Sequence, residues 1–309
     1  MTEHATTDAR PTTGPGLQQP ATPPAGGVVY FDGRIVPRAE AAVSVDDRGF
    51  LFGDGAYEVT RAVRGRLFAG DRHRRRLERT LRGLEIAVSA EELDRLDEAS
   101  LEIVRANGLA DTDATVYVQV TRGAVHPRTH WFPPSGTRAT IYASASRFNP
   151  TTALQERGVS VILQPDIRWA RCDLKTVNLL PNAIAKQRAQ EAGAYEALFV
   201  RDGVVLEGGS TNMFAVIDGV VRTAPATNYI LPGITREVVL ELAAEEGVEV
   251  RQESILLADF HRATEVFLTS TTSDVMPVVS VEGRTVGDGA PGPVARRLGK
   301  ALARRMEEG

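Results

Sequence analysis

Lysine is almost absent from this chain: it occurs three times in 309 residues, at Lys175, Lys186 and Lys300, against 33 arginines. Arginine keeps its proton at any ordinary pH, whereas a lysine amine can be deprotonated by its surroundings and act as a base or Schiff-base nucleophile. Where nearly every cationic position is Arg, a retained lysine is either a candidate for amine chemistry or a plain surface ammonium, and its neighbours must decide. Cysteine is scarcer still. Cys172 alone excludes an intrachain disulfide, and five scattered histidines supply neither HExxH nor a Cys/His pairing of zinc-site spacing. We therefore expect a reducing cytoplasm and no structural metal. No apolar run approaches the roughly 20 residues that span a bilayer, and no apolar segment follows basic residues at the N-terminus, so no membrane association is expected. Nor is there an excess of one charge. With 36 basic and 40 acidic residues the chain has no electrostatic footprint for nucleic acid.

What is present is a 42% hydrophobic chain long enough for two domains. Residues 1–27 are rich in Pro, Thr, Gly and Ala, cannot offset the entropy of ordering, and read as a disordered tail. Residues 28–148 read as an α+β unit. It opens with two hairpins turning at Asp32-Gly33 and Arg64-Gly65, followed by helices near 71–85 and 91–107 and two apolar strands. Residues 149–157 lose apolar periodicity and carry Pro150, as a linker would. Residues 158–309 form a second, strand-rich unit with hairpin turns at Asp202-Gly203 and Asp218-Gly219, a helix at 236–246 and an amphipathic terminal helix. Strands dominate and helices intervene, so an α+β architecture or distorted barrel suits the chain better than a regular βαβ series.

Several stretches suit ligand chemistry. LPGITREVVLELAAEEG, 231–247, reads as a helix with Thr235 as N-cap. Its start presents free N–H groups, a hydroxyl and the positive dipole end to an anion, although most helix starts hold only water. TSTTSD, 269–274, ends a strand and adds hydroxyls, or is a plain Ser/Thr turn. In VVLEGGSTNMF, 204–214, glycines permit close approach of a flat ligand and Glu207 can face a cation; a hairpin loop with an exposed acid is the alternative. Gly287, Gly289 and Gly292 match GxGxxG spacing, but Pro291 and the short remaining chain exclude a βαβ nucleotide unit. RHRRRLER, 72–79, reads as a solvated helix face with one Arg turned inward. An amine, an anion site on a helix start and a carboxylate for a cationic ring nitrogen together suit pyridoxal phosphate.

Six ordered blocks carry a wider resemblance: DRGFLFGDGAYEV, VTRGAVHPRTHWFP, DIRWARCDLKTVNLLPNAIAKQ, LEGGSTNMF, NYILPGITR and FLTSTTSDVMPV. Over about residues 28–290 the sequence resembles the fold-type IV pyridoxal-phosphate enzymes, and within them the bacterial D-amino-acid aminotransferases. The resemblance implies a small α+β N-terminal domain and a larger C-terminal domain with a distorted β-barrel and helices. It implies ping-pong transamination of D-amino acids and 2-oxo acids, of the kind that converts D-alanine and 2-oxoglutarate to pyruvate and D-glutamate. Lys175 is implied as Schiff-base lysine and proton carrier, Glu207 as partner of the pyridine nitrogen, and Arg76, Ile234, Thr235 and Thr271 as phosphate contacts. Leu231 would pack under the ring, with Ser210 and Thr211 lining it. Tyr57, Arg128 and His130 would hold the substrate carboxylate, the last two reaching in from the second subunit of a homodimer. Gly209 departs from the family's common Ser. Other fold-type IV activities, namely branched-chain aminotransferase, amine transaminase and aminodeoxychorismate lyase, share the cofactor site but not PRTH.

Overall fold

The computed structural model describes residues 26–308, so the expected tail, 1–27, lies outside the described residues except for its last two positions. The chain begins β1 (Val28–Phe31), β2 (Arg34–Pro37), α1 (Arg48–Phe52), β3 (Gly55–Val63), β4 (Arg66–Leu67), α2 (Gly70–Gly83), α3 (Ala90–Ala106), β5 (Ala114–Thr121) and β6 (Thr140–Arg147). These strands form one six-stranded sheet in the order β2-β1-β6-β5-β3-β4. Both hairpins turn where expected: Asp32-Gly33 and Arg64-Gly65 have positive φ at both positions, the conformation that matches strand twist in a two-residue turn. Helix α3 starts on a reciprocal cap. Ser89 Oγ accepts from Glu92 N at 3.1 Å, and Ser89 N donates to Glu92 Oε2 at 2.9 Å. Leu77, Leu81, Leu96 and Ile103 of α2 and α3 bury one sheet face with Val116 and Val120.

The chain continues through α4 (Thr152–Arg157), β7 (Val159–Pro165), α5 (Leu180–Glu191), β8 (Glu196–Arg201), β9 (Val204–Gly208), β10 (Asn212–Ile217), β11 (Val220–Thr223) and α6 (Ile234–Glu245). It ends with β12 (Val250–Gln252), β13 (Ile255–Leu256), α7 (Leu257–Phe260), β14 (Glu265–Ser270), β15 (Asp274–Val281), β16 (Arg284–Thr285) and α8 (Pro293–Glu308). In this second sheet β10 pairs with both β14 and β9, so β9-β10-β14-β15-β7-β8 close on themselves as a six-strand barrel. Val161, Leu198, Met213, Leu268 and Met276 belong to the core cluster of these strands. Helices α6 and α8 pack Val239, Leu242, Leu298 and Leu302 against Phe214 and Phe267, whose rings stack at 4.9 Å. Such a pair adds roughly 0.5–1.5 kcal/mol to the burial itself. The architecture is thus the mixed α+β arrangement with a distorted barrel expected above.

The segment read as a linker, 149–157, contains α4, whose Gln155 Nε2 donates to Ser273 O in the turn between β14 and β15. Two local expectations are corrected. The N-cap of α6 is Gly233, and Thr235 lies inside the helix rather than capping it; a Cβ at 233 would lie 2.1 Å from Asn212 Oδ1, so this cap position takes glycine. The basic run on α2 is less solvated than its composition suggests. His73 and Arg76 are buried, and Arg74 bonds Glu78, Asp94 and Asp97.

Candidate active site

A cavity of about 220 Å³ lies where the two sheets meet. Tyr57, Val59 and Arg76 border it from the first unit, and Lys175, Glu207, Leu231, Thr235 and Thr271 are among those bordering it from the second. Lys175 reaches this place because its own segment pairs with β3. Tyr57 N donates to Lys175 O at 3.0 Å, Val177 N donates to Gly55 O at 3.0 Å, and Lys175 N donates to Thr80 Oγ1 at 3.2 Å. The half-buried amine stands 4.0 Å from the centre of the Tyr57 ring. Lys186 instead places its amine 3.0 Å from Tyr195 O, and Lys300 is exposed on α8.

Successive residues of a strand face opposite ways. Tyr57 and Val59 therefore face the cavity while Glu58 points to α2, where Arg76 donates to it through Nε and Nη2 at 2.7 and 2.8 Å. His73 Nδ1 lies 2.8 Å from Glu58 Oε2, and Arg76 Nη1 donates to Pro232 O at 3.1 Å. Burial alone would raise the Glu58 carboxyl, yet Arg76 and His73 hold it far below the usual carboxylate range. Burial pushes the His73 imidazole below its ordinary value. Arg76 is thus pre-set by a carboxylate that sequence reasoning missed; its signal was an acid at the core-facing parity of β3, in step with Ala56 and Ala62.

Glu207 is buried and accepts from Arg168 Nη1 at 2.5 Å, Asn212 Nδ2 at 3.0 Å and Leu231 N at 3.1 Å. Arg168 is clamped from its other edge by Asp166 at 2.9 and 3.0 Å and lies on the Phe199 ring at 4.2 Å. Burial raises the Glu207 carboxyl to about 7, against the pull of Arg168. Sequence reasoning did not single out Arg168, for which the Asp166-x-Arg168 spacing was the available signal. Close by, burial pushes the Cys172 thiol up to about 11, so it stays protonated.

The loop after β9 is held by the fully buried Glu196, which accepts from Ser210 N at 3.2 Å and Ser210 Oγ at 2.9 Å. Lys186 lies 3.3 Å from Glu196 and its stem covers Gly209, where an added Cβ would meet Glu196 Oε1 at 3.1 Å and Lys186 Cγ at 3.2 Å. The departure at Gly209 thus goes with Lys186 filling the space a side chain would take. No side chain caps the start of α6, and Ile234 and Thr235 border the cavity beside the hydroxyl turn 269–272. Thr269 Oγ1 is buried there with no hydrogen-bond partner.

Arg128 and His130 do not border the cavity within this chain. Arg128 lies over the Phe52 ring at 4.3 Å and His130 packs on the same ring at 5.6 Å. Their loop is tied down by Arg48 Nη1, which donates to Thr129 O at 2.8 Å, and by Arg122 over Phe132 at 3.7 Å. Asp54 joins the two arginines. Burial would raise the Asp54 carboxyl, but the two guanidinium groups lower it below its ordinary value. Among the described residues, no group of three or more His, Cys, Asp or Glu is placed to hold a metal, and no helix is long and apolar enough to cross a membrane.

A family model described as amino-transferase class IV matches residues 55–281. The chain is 42% identical over 274 residues to a D-alanine aminotransferase of Bacillus licheniformis, covering 89% of this chain and 95% of that protein. It is 37% identical over 279 residues to a D-alanine aminotransferase of Staphylococcus haemolyticus, covering 90% and 98%. Among solved structures it is similar to the branched-chain amino acid aminotransferase of Escherichia coli, with TM-score 0.82, 28% identity and coverage of 90% and 94%. It is similar also to a second branched-chain amino acid aminotransferase, solved in complex with N-(5'-phosphopyridoxyl)-L-glutamate, with TM-score 0.81, 29% identity and coverage of 92% and 95%.

Proposed function

The chain belongs to the class IV aminotransferases, pyridoxal-phosphate enzymes, and from that premise we propose that it transaminates D-amino acids against 2-oxo acids. The residues present fit the cofactor. An uncapped helix start, the Arg76 guanidinium and the unpartnered hydroxyl of Thr269 suit a phosphate. Glu207, raised to about 7 by burial, is a strong acceptor for a protonated ring nitrogen. In this reading Arg76, Ile234, Thr235 and Thr271 hold the phosphate, while Leu231, Ser210 and Thr211 line the ring. The bound cofactor supplies an electron sink for the bond broken at the substrate's Cα.

The observation that carries the reading is the meeting, around one cavity, of the Lys175 amine, Tyr57 and the Glu207 carboxylate. Lys175 Nζ would take the proton from the substrate's Cα and deliver it, from the same side, to C4′ of the bound cofactor, so one amine serves as base and then acid. Tyr57 orients the substrate carboxylate. Arg128 and His130, which form a charge-assisted clamp suited to that group, are supplied in our reading by a second copy of the chain. Supporting this are their distance from the cavity of their own chain and the exposed Phe50, Trp131, Leu179 and Leu180. With the clamp on the side the D-specific resemblance implies, a D-amino acid turns its Cα hydrogen toward Lys175, and an L-isomer would place its side chain there.

A branched-chain L-amino-acid activity is the second reading, favoured by the likeness to branched-chain enzymes at 28% identity. Initial rates with D-alanine and with L-leucine, each with 2-oxoglutarate, separate the two. Faster turnover of D-alanine is expected; faster turnover of L-leucine would overturn the D-specific reading.

A further inference from the structure

Arg61 stands on the same strand and face as Tyr57 and Val59, two steps beyond the cavity, and is 7% exposed. Its guanidinium donates to both Asp274 carboxylate oxygens at 3.0 and 3.1 Å and to Asp113 Oδ2 at 2.6 Å, and it lies on the Phe148 ring at 3.5 Å. Asp113 and Phe148 belong to the first unit, whereas Asp274 closes the turn between β14 and β15. Internally that turn bonds itself: Ser270 Oγ accepts from Ser273 N at 3.1 Å and from Thr272 N at 3.3 Å. The turn is carried by the β14–β15 ladder and braced from outside by Arg61 of β3 on Asp274 and by Gln155 Nε2 of α4 donating to Ser273 O at 3.0 Å. Thr269, Ser270, Thr271 and Thr272 at this turn border the cavity.

We propose that Arg61 and Asp274 are a positioning pair, an ion pair across the two sheets that sets where the 269–272 hydroxyls stand relative to Lys175 and Arg76. The pair acts through the turn and touches no ligand. It rests on the reading that this turn contacts the cofactor phosphate, and its consequence is selective: it tunes affinity for the phosphate and leaves the ring contacts around Glu207 and Leu231 alone. Asp113 shares the same guanidinium but not the turn, so it provides the control.

The test measures dissociation constants of the full chain, resolved from its cofactor, for pyridoxal 5′-phosphate and for phosphate-free pyridoxal. Asp274→Asn keeps the side-chain shape, and Asn tolerates the left-handed φ of 54° at this position; Arg61→Lys keeps the charge. Each should weaken pyridoxal phosphate binding about tenfold, the loss of one well-placed bond to a charged group, and pyridoxal binding by less than about twofold. Asp113→Asn should preserve the ratio of the two constants. If Arg61→Lys does not fold, the ratio in Asp274→Asn decides. An unchanged ratio in Asp274→Asn, whether both affinities fall or neither does, overturns the proposal. Equal affinity of the unsubstituted protein for the two compounds would instead overturn the phosphate-site reading, and the pair's role with it.

Discussion

Arg168 Nη1 lies 2.5 Å from Glu207 Oε1 while Asp166 clamps the same guanidinium, so one cation is shared by two buried carboxylates. The sharing limits what Arg168 offers Glu207, and burial leaves its carboxyl near 7 in the folded chain against an ordinary 4.5. The folded form therefore holds this proton more tightly than the unfolded form. The group's contribution to stability is complete below about 4.5 and is lost as pH rises through about 7, up to about 3 kcal/mol in all. Glu207→Gln removes the titration. Urea unfolding of the cofactor-free protein should show the variant gaining on the unsubstituted chain by up to that amount between pH 4.5 and pH 8. A flat difference across this window would mean that the carboxyl is not raised.

Glu58 runs the other way. Its folded carboxyl lies far below the ordinary range, so its contribution is present above about 4.5 and is lost as pH falls. Glu58→Gln leaves Arg76 buried without its carboxylate and should cost about 3–5 kcal/mol at pH 7, a cost that shrinks by only about 1 kcal/mol at pH 4 because the folded carboxyl is still ionised there. Denaturant midpoints at the two pH values check this.

Gly209→Ala should be mildly destabilising, about 1 kcal/mol, because its Cβ meets Glu196 and the Lys186 stem at 3.1–3.3 Å. Shortening the neighbour in the double variant with Lys186→Ala should reduce that cost. A double-mutant cycle of melting curves with no coupling would show that Lys186 is not what fills the space.

Lys175→Ala should remove the visible absorbance of the lysine-bound cofactor and slow turnover by several orders of magnitude, since only a primary amine at this position can bond the cofactor and carry the proton. Lys300→Arg, exposed on α8, should change neither. Full activity of the alanine variant would end the assignment of Lys175.

If Arg128 holds the substrate carboxylate as proposed, Arg128→Leu should raise KM for D-alanine and for 2-oxoglutarate alike, since both carry that group. Losing a charged bond from a partly desolvated clamp corresponds to roughly 2–4 kcal/mol, or about 30-fold to 1000-fold in kcat/KM. An effect confined to one substrate would assign Arg128 to the side-chain pocket instead.

Local chemistry was legible in the chain. Asp-Gly turns at 202–203 and 218–219 take the paired positive φ that their residue types favour, and the helices at 70–83, 90–106 and 234–245 begin and end within a few residues of their periodic patterns. Lys175 stood out by composition, and Glu207 by its glycines and hydroxyls. These signals span a few neighbouring residues, which is the range over which turn sterics, caps and amphipathic period act. What only the tertiary structure decided is which charges meet. Arg61 and Asp274 are 213 positions apart, and Arg76 and Glu58 meet only after α2 packs on β3. Arg168 reads as one more cation until the barrel closes and buries Glu207 against it. A buried ion pair is specified by the packing of distant elements that exclude water from it, and no local pattern encodes that meeting.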